Sequence, residues 1–276
     1  QIGVIDRGAG SEIATFQEEG VQSLLSGNLM DVCPVGAITT RDYRFKSRPW
    51  DNPAVVDTTC TLCSKGCNTS AWLRAKPEWA KGSQLVRMTP RLNPSINSYW
   101  MCDIGRFNYH WVESASRLRR PMLRQNGALA PVSWRDVEIP LRDRLQEAGG
   151  SDPRSVQFLV SAHASVEEFF VLRQLVEALL GTDGLGAVNV AWTHSEKAQP
   201  ENAQFKVSSV NAPNVNGAKD IGFAVGAGNA GPADLSALRS SVESGRVKAL
   251  YVIDPGPEAS LGDMSWVIAA RKSGSL

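Results

Sequence analysis

Three cysteines fall within eight residues, "CTLCSKGC" from Cys60 to Cys67, and a fourth stands alone at Cys102, giving the spacing C-x2-C-x3-C-x34-C. Four thiolates in this arrangement are the donor set of a structural zinc or of a cubane iron-sulfur cluster. Either would dictate the local fold, because metal affinity is then folding free energy. Zinc sites usually draw on two knuckles, each C-x2-C turn supplying two sulfurs. A cubane takes one cysteine per iron, which suits three ligands in a single loop and a remote fourth. The spacing points to a [4Fe-4S] cluster on Cys60, Cys63, Cys67 and Cys102, with zinc and unligated structural thiols as the alternatives. Gly66, just before Cys67, predicts a tight turn that aims amide N–H groups at sulfur. Lys65 in the same loop is either an exposed lysine or a cation that favours the more negative, reduced cluster.

The fifth cysteine, Cys33, sits in "DVCPVGA". A Cys-Pro pair is what closes a ferredoxin-type C-x2-C-x2-C-x3-C-P run, but the companions of such a run are missing here. Cys33 is therefore either the remote ligand of a second cluster or a buried free thiol in a turn.

Composition narrows the remaining possibilities. The chain of 276 residues carries 29 Lys plus Arg against 28 Asp plus Glu, so no long-range field steers it to nucleic acid or anionic membrane. No apolar run approaches the roughly 20 residues that cross a bilayer, so direct membrane insertion is not expected. The start "QIGVIDRGAG" lacks the regions of a signal peptide, and five cysteines make a poor disulfide framework, which together predict a reducing, cytoplasmic setting. The missing initiator Met, and an apolar helical pattern that has just begun in "SWVIAARKSGSL", lead us to expect a piece of a longer chain.

Texture divides the chain into three parts. Residues 1–48 hold the apolar-periodic "IATFQEEGVQSLLSGN", the "CPVG" turn and a strand-like "AITTRDYRFKS". Residues 49–112 are rich in Pro, Asn, Trp and Cys, with strand candidates "SAWLRA" and "QLVRMT", and form a small cysteine-rich α+β domain that needs its metal. In 113–276 strands alternate with helices. "SVQFLVS" is followed by the helix "SVEEFFVLRQLVEALLG", with Ser165 and Glu168 in capping-box spacing, an apolar stripe through Phe169, Leu172, Leu175, Val176 and Leu179, and Gly181 as a stop. A second unit runs from a strand "DIGFAV" through glycines and the helix "ADLSALRSSVESG" to the strand "VKALYVIDP". This order predicts an α/β fold with a mostly parallel, doubly wound sheet.

Taken together, "SGNLMDVCPVGAIT", "RPWD", "CTLCSKGCN", "NPSINSYWMCDIGRFNY" and "RLRRPMLRQNGALAPVSWRD" resemble the large iron-sulfur subunit, the G-type chain, of bacterial respiratory complex I, NADH:quinone oxidoreductase. The resemblance implies that Cys33 is the fourth ligand of a [4Fe-4S] cluster whose other ligands lie upstream, making 1–48 the tail of a ferredoxin-type domain. It also implies that Cys60, Cys63, Cys67 and Cys102 hold an additional [4Fe-4S] cluster. The implied function is electron transfer from the NADH/flavin module toward quinone. The implied partners are the other subunits of the peripheral arm, including the flavin- and NADH-binding subunit, in a complex peripheral to the inner membrane.

More distantly the chain resembles the molybdopterin oxidoreductase superfamily, whose catalytic members, such as formate dehydrogenase-like enzymes, supply the alternative function. Those enzymes commonly carry Lys two residues after the fourth cluster cysteine, where this chain has Ile104. Thr193, in "AWTHSE", falls roughly where they bind the metal through Cys or selenocysteine followed by a His, here His194. Molybdopterin is therefore not expected, and no catalytic residue is assigned.

Other signals have plainer readings. Gly226, Gly228 and Gly231 have dinucleotide-fingerprint spacing with Asp254 beyond them, but Pro232 follows at once and a plain glycine-rich turn is the simpler account. Arg117, Arg119, Arg120 and Arg124 are either a phosphate grip or a solvated linker face. His110 is expected at the surface or in packing, and His163 carries no assignment.

Overall fold

The computed structural model describes residues 2–16, 20–80, 82–150, 152–225 and 233–276. The chain forms two compact units: residues 1–60, 66–113 and 198–207 make the first, and residues 61–65, 114–197 and 208–276 the second.

The first unit opens with a hairpin of β1 (Ile2–Ile5) and β2 (Glu12–Thr15), paired antiparallel. Two short helices follow, α1 (Asn28–Val32) and α2 (Arg41–Arg44). The second of these corrects the strand-like expectation for "AITTRDYRFKS": the Thr40 side chain accepts a hydrogen bond from the Tyr43 N–H at 3.2 Å and caps a helical turn. An antiparallel sheet β3-β4-β5 comes next, built from β3 (Ala54–Thr59), β4 (Asn68–Leu73) and β5 (Leu85–Pro90). The two strand candidates of this region are β4 and β5. A small core of Tyr43, Ala80 and Val86, with Trp72 against it, anchors α2 to the sheet, and the Tyr43 hydroxyl is satisfied by Asn52 Oδ1 at 2.8 Å. Helix α3 (Asp103–Phe107) packs on β5 and closes the unit.

The second unit begins with a hairpin of β6 (Met122–Gln125) and β7 (Ala128–Pro131). Its turn is Asn126-Gly127, both at positive φ (50° and 82°), the geometry that suits the twist of a two-residue hairpin loop. After α4 (Trp134–Gly149) comes a three-stranded parallel sheet in the order β10-β8-β9: β8 (Val156–Ser161), β9 (Val188–Ala191) and β10 (Ala249–Ile253). Alternation along β8 feeds two cores. Val156, Phe158 and Val160 pack with Phe169, Leu172 and Val176 of α5 (Val166–Leu180), whereas Leu159 faces the other way, toward Leu238 and Val242 of α7 (Ser236–Glu243) and Trp266 and Ala270 of α8 (Ser265–Ser273). Helices thus cover both faces of a parallel sheet whose two faces are apolar.

Helix α5 forms as its sequence predicts. Ser165 Oγ accepts from the Glu168 N–H at 3.2 Å, and Glu168 Oε2 accepts from the Ser165 N–H at 2.7 Å. Gly181 terminates the helix at φ 77°. Replacing Ser165 by Ala should cost about 1 kcal/mol, the usual value of a lost N-cap, read as a lower denaturant midpoint with an unchanged slope.

The expected strand "DIGFAV" is corrected. Its first residue ends α6 (Val215–Asp220), Gly222 turns the chain at φ 98°, and Phe223 drops into the core edge-to-face with Phe169. The apolar pair that suggested a strand is a turn anchored by one aromatic. The glycine run 226–231 lies outside the described residues.

Candidate iron-sulfur site

Strands β3 and β4 are joined by the cysteine loop, whose two ends are pinned by the Cys60 N–H donating to the Cys67 carbonyl at 2.8 Å. Gly66 adopts φ 65°, the left-handed conformation the sequence called for. Cys67 and Cys102 are buried at 4% and 5% exposure, in an apolar cluster with Phe205 and Val207, and Cys60, Leu24, Leu25 and Ile104 pack against it.

Cys102 is the N-cap of α3, and its sulfur accepts from the Gly105 N–H at 3.4 Å. Gly105 leaves no room for a side chain: a Cβ there would lie 3.0 Å from Cys60 Sγ, 3.2 Å from Met101 Cε and 3.9 Å from Cys102 Sγ. The structure therefore brings Cys60, Cys67 and Cys102 together in the first unit. Cys63 is buried in residues 61–65, which group with the second unit. Lys65, in the same short segment, is half-buried. None of the five cysteines is in a disulfide. Among the described residues no group of three or more His, Cys, Asp or Glu side chains is gathered closely enough to hold a metal ion as it stands.

Cys102 is held in place from two sides. Buried Asn97 accepts from the Asn68 N–H at 3.0 Å and donates to the carbonyls of Arg91 and Trp100 at 3.2 and 3.1 Å, fixing the loop that leads to it. Asn28 of α1 donates to the Met101 carbonyl at 2.7 Å and accepts from the Met101 N–H at 3.1 Å. On the following residue, the Asp103 N–H donates to Leu24 O at 2.7 Å, and its carboxylate accepts from the Gly27 N–H at 2.8 Å.

Cys33 is the C-cap of α1 and is partly exposed. Backbone N–H groups of Ile38, then Ala37, and more weakly Val35 and Gly36, hold its thiol below the ordinary range against a burial cost that opposes them. Gly36 makes this wrap possible by turning at φ 68°. Amides converging on one sulfur suit a thiolate, whether bare or bound to iron.

Ile104 is half-buried against Cys67 and Cys102, so an apolar side chain lies at that position. Thr193 follows β9, and its hydroxyl accepts from Asn211 Nδ2 at 3.2 Å. His194 lies 3.6 Å from Glu196. His110 is at the surface, 2.8 Å from Asp42 and stacked on Tyr109. Arg117, Arg119, Arg120 and Arg124 are all exposed. Three contributors went unseen in the sequence. Gly105 carried a faint signal as a glycine one turn after Cys102, whereas Phe205 and Val207, far downstream, carried none.

A cysteine loop on an antiparallel sheet, followed by a parallel α/β unit, is the arrangement of an iron-sulfur oxidoreductase subunit. Residues 1–39 match the ferredoxin-like domain of NADH-quinone oxidoreductase subunit 3, and residues 117–210 match the molybdopterin oxidoreductase family. The chain is similar to NADH-quinone oxidoreductase subunit 3 of Thermus thermophilus, 34% identical over 175 residues, which is 63% of this chain and 21% of the relative. It is similar to the NADH-quinone oxidoreductase G subunit of Rickettsia conorii, 31% identical over 179 residues (65% of this chain, 25% of the relative). It is likewise similar to the second G-type subunit of the same enzyme in Rhizobium meliloti, 32% identical over 184 residues (67% and 20%). The chain thus spans a quarter or less of the length of these curated relatives. The resemblance to the complex I iron-sulfur subunit, and more distantly to molybdopterin oxidoreductases, is shown by these matches.

Proposed function

We propose that this chain is an electron-transfer segment of the iron-sulfur subunit of NADH:quinone oxidoreductase, holding a [4Fe-4S] cluster on Cys60, Cys63, Cys67 and Cys102. The observation that carries the reading is the convergence of Cys60, Cys67 and Cys102 in one apolar pocket, with Gly105 backed against two of their sulfurs. Bound there, a cubane supplies reversible one-electron oxidation and reduction. The chain's own part is to present soft donors, exclude water with Phe205, Val207 and Ile104, and aim the Gly105 N–H at sulfur. Cys33, inside its amide wrap, serves as one ligand of a second [4Fe-4S] cluster whose other ligands come from outside this chain.

On this reading residues 1–48 end a ferredoxin-type domain, 49–112 form the cluster domain, and 113–276 begin a doubly wound α/β domain of the molybdopterin oxidoreductase type. The partners are the other peripheral-arm subunits, including the one that binds flavin and NADH. The location is the cytoplasmic face of the inner membrane, within a membrane-bound complex. No helix among the described residues is long and apolar enough to cross a membrane.

The alternative, a catalytic molybdopterin enzyme, draws on the family match over residues 117–210. Against it stand the apolar Ile104, in place of the lysine that the resemblance leads one to expect, and the Thr193 hydroxyl, which is bonded to Asn211.

Anaerobic reconstitution followed by metal analysis tests all three readings. The expected result is about four irons and four acid-labile sulfides at the Cys60–Cys102 site, with no stoichiometric molybdenum or pterin. A colourless protein that holds one zinc would replace the cluster by a structural metal. Molybdenum at unit stoichiometry would favour the catalytic alternative.

A further inference from the structure

The two cysteine sites of the first unit meet through a pair of helices. Helix α1 ends on Cys33 as its C-cap, and α3 begins on Cys102 as its N-cap. Between them lies Arg106, only 2% exposed, with Nη2 2.5 Å from Asp31 Oδ2, Nη1 3.3 Å from Asp31 Oδ1 and Nη2 3.2 Å from Asn28 Oδ1. Its Nε makes no hydrogen bond. The approach is tight enough to demand a glycine, since a Cβ at Gly27 would lie 2.5 Å from Arg106 Cδ. Arg87 also faces Asp31, at 3.9 Å.

Burying a guanidinium with an unsatisfied N–H is a poor way to join two helices. An apolar pair of similar volume is often as stable or more so, because the desolvation cost of the ions rivals their attraction. The placement suggests a different use. Arg106 stands one helical turn after Cys102, and Asp31 stands two residues before Cys33. Reduction adds one electron to a cubane, so a fixed positive charge nearby favours the reduced state and a fixed negative charge opposes it. In a dry, immobile surrounding neither is screened as it would be in water.

We infer that Arg106 and Asp31 are opposed tuning residues: one buried charge pair sets the field at the cluster on Cys102 and at the ligand Cys33, binding the two electron carriers to a common local charge. The inference rests on the iron-sulfur reading above. It assigns to the pair a role in potential and not only in packing.

The test is an EPR-monitored redox titration of the cluster on Cys60, Cys63, Cys67 and Cys102 in the full chain, at fixed pH and ionic strength. Arg106→Met leaves Asp31 with only the more distant Arg87 and should lower the midpoint potential. Asp31→Asn leaves both arginines unopposed and should raise it. Arg106→Lys should stay near the wild type, and the double variant should fall between the two single ones. A purely structural pair would instead broaden or lose the signal in both single variants, with no opposite displacement. Shifts of the same sign, or none, overturn the inference. Where Arg106→Met does not fold, the upward shift in Asp31→Asn and the retained potential of Arg106→Lys still decide it. A wild-type chain that takes up no iron would overturn the iron-sulfur reading itself, a result recognisable before any variant is made.

Discussion

Replacing Cys67 by Ser should abolish stable retention of the cluster on the Cys60–Cys102 set, taking iron at that site from about four per chain to near zero after gel filtration. Cys67 is 4% exposed, and its carbonyl closes the loop on the Cys60 N–H. The substitution therefore keeps the loop's backbone bond while removing one thiolate. A neutral hydroxyl offers iron neither the charge nor the soft donor of sulfur. The consequence should extend beyond colour. The cores of this unit are small, one of them built around the cysteines themselves and the other around Tyr43, Ala80 and Val86, so ligand binding contributes much of the local folding energy. Hydrogen exchange should accelerate across residues 49–112 in the variant while β8 and β10 stay protected. Cys33→Ser is the control, because Cys33 lies outside this ligand set and the cluster's iron should be unchanged. Equal iron loss in both variants would mean that the four-cysteine assignment is wrong.

The second large effect belongs to the α/β unit and needs no metal. Phe169→Ala should destabilise that unit by about 3–5 kcal/mol, the range for a deleted buried aromatic whose cavity cannot collapse. Phe169 is fully buried between α5 and the parallel sheet, with its ring 5.9 Å from Phe223 at 74°. Its loss removes both the packing and the edge-to-face contact that anchors the turn after α6. Trp192, 4% exposed in the same core, gives a local fluorescence probe of unfolding. Leu175 on the same helix is 37% exposed, and Leu175→Ala should cost under about 1 kcal/mol. Comparable losses in the two variants would show that α5 packs through a different face from the one described.

The contrast between Phe169 and Leu175 shows where sequence reasoning held and where it stopped. Periodicity placed both on one stripe, and the stripe does face the core, but its width was decided by the sheet beneath it. What the sequence determined by itself were features whose partners lie within a few residues: the capping box of Ser165 and Glu168, the Gly66 and Gly181 turns, the alternation along β8, and the cysteine spacing that limits the chemistry to soft thiolate donors. Each is written by local sterics and short hydrogen bonds, so a short window contains all the information needed.

The tertiary structure decided the rest. It turned "AITTRDYRFKS" into a capped helix and "DIGFAV" into an anchored turn, because burial of Tyr43 and Phe223 outweighed local β preference. It drew residues 198–207 into the first unit, so that Phe205 and Val207 cover cysteines far upstream. It also set Arg106 against Asp31 across 75 residues of chain, which no local pattern could announce, since a buried ion pair is chosen by the space two helices leave and not by spacing along the sequence.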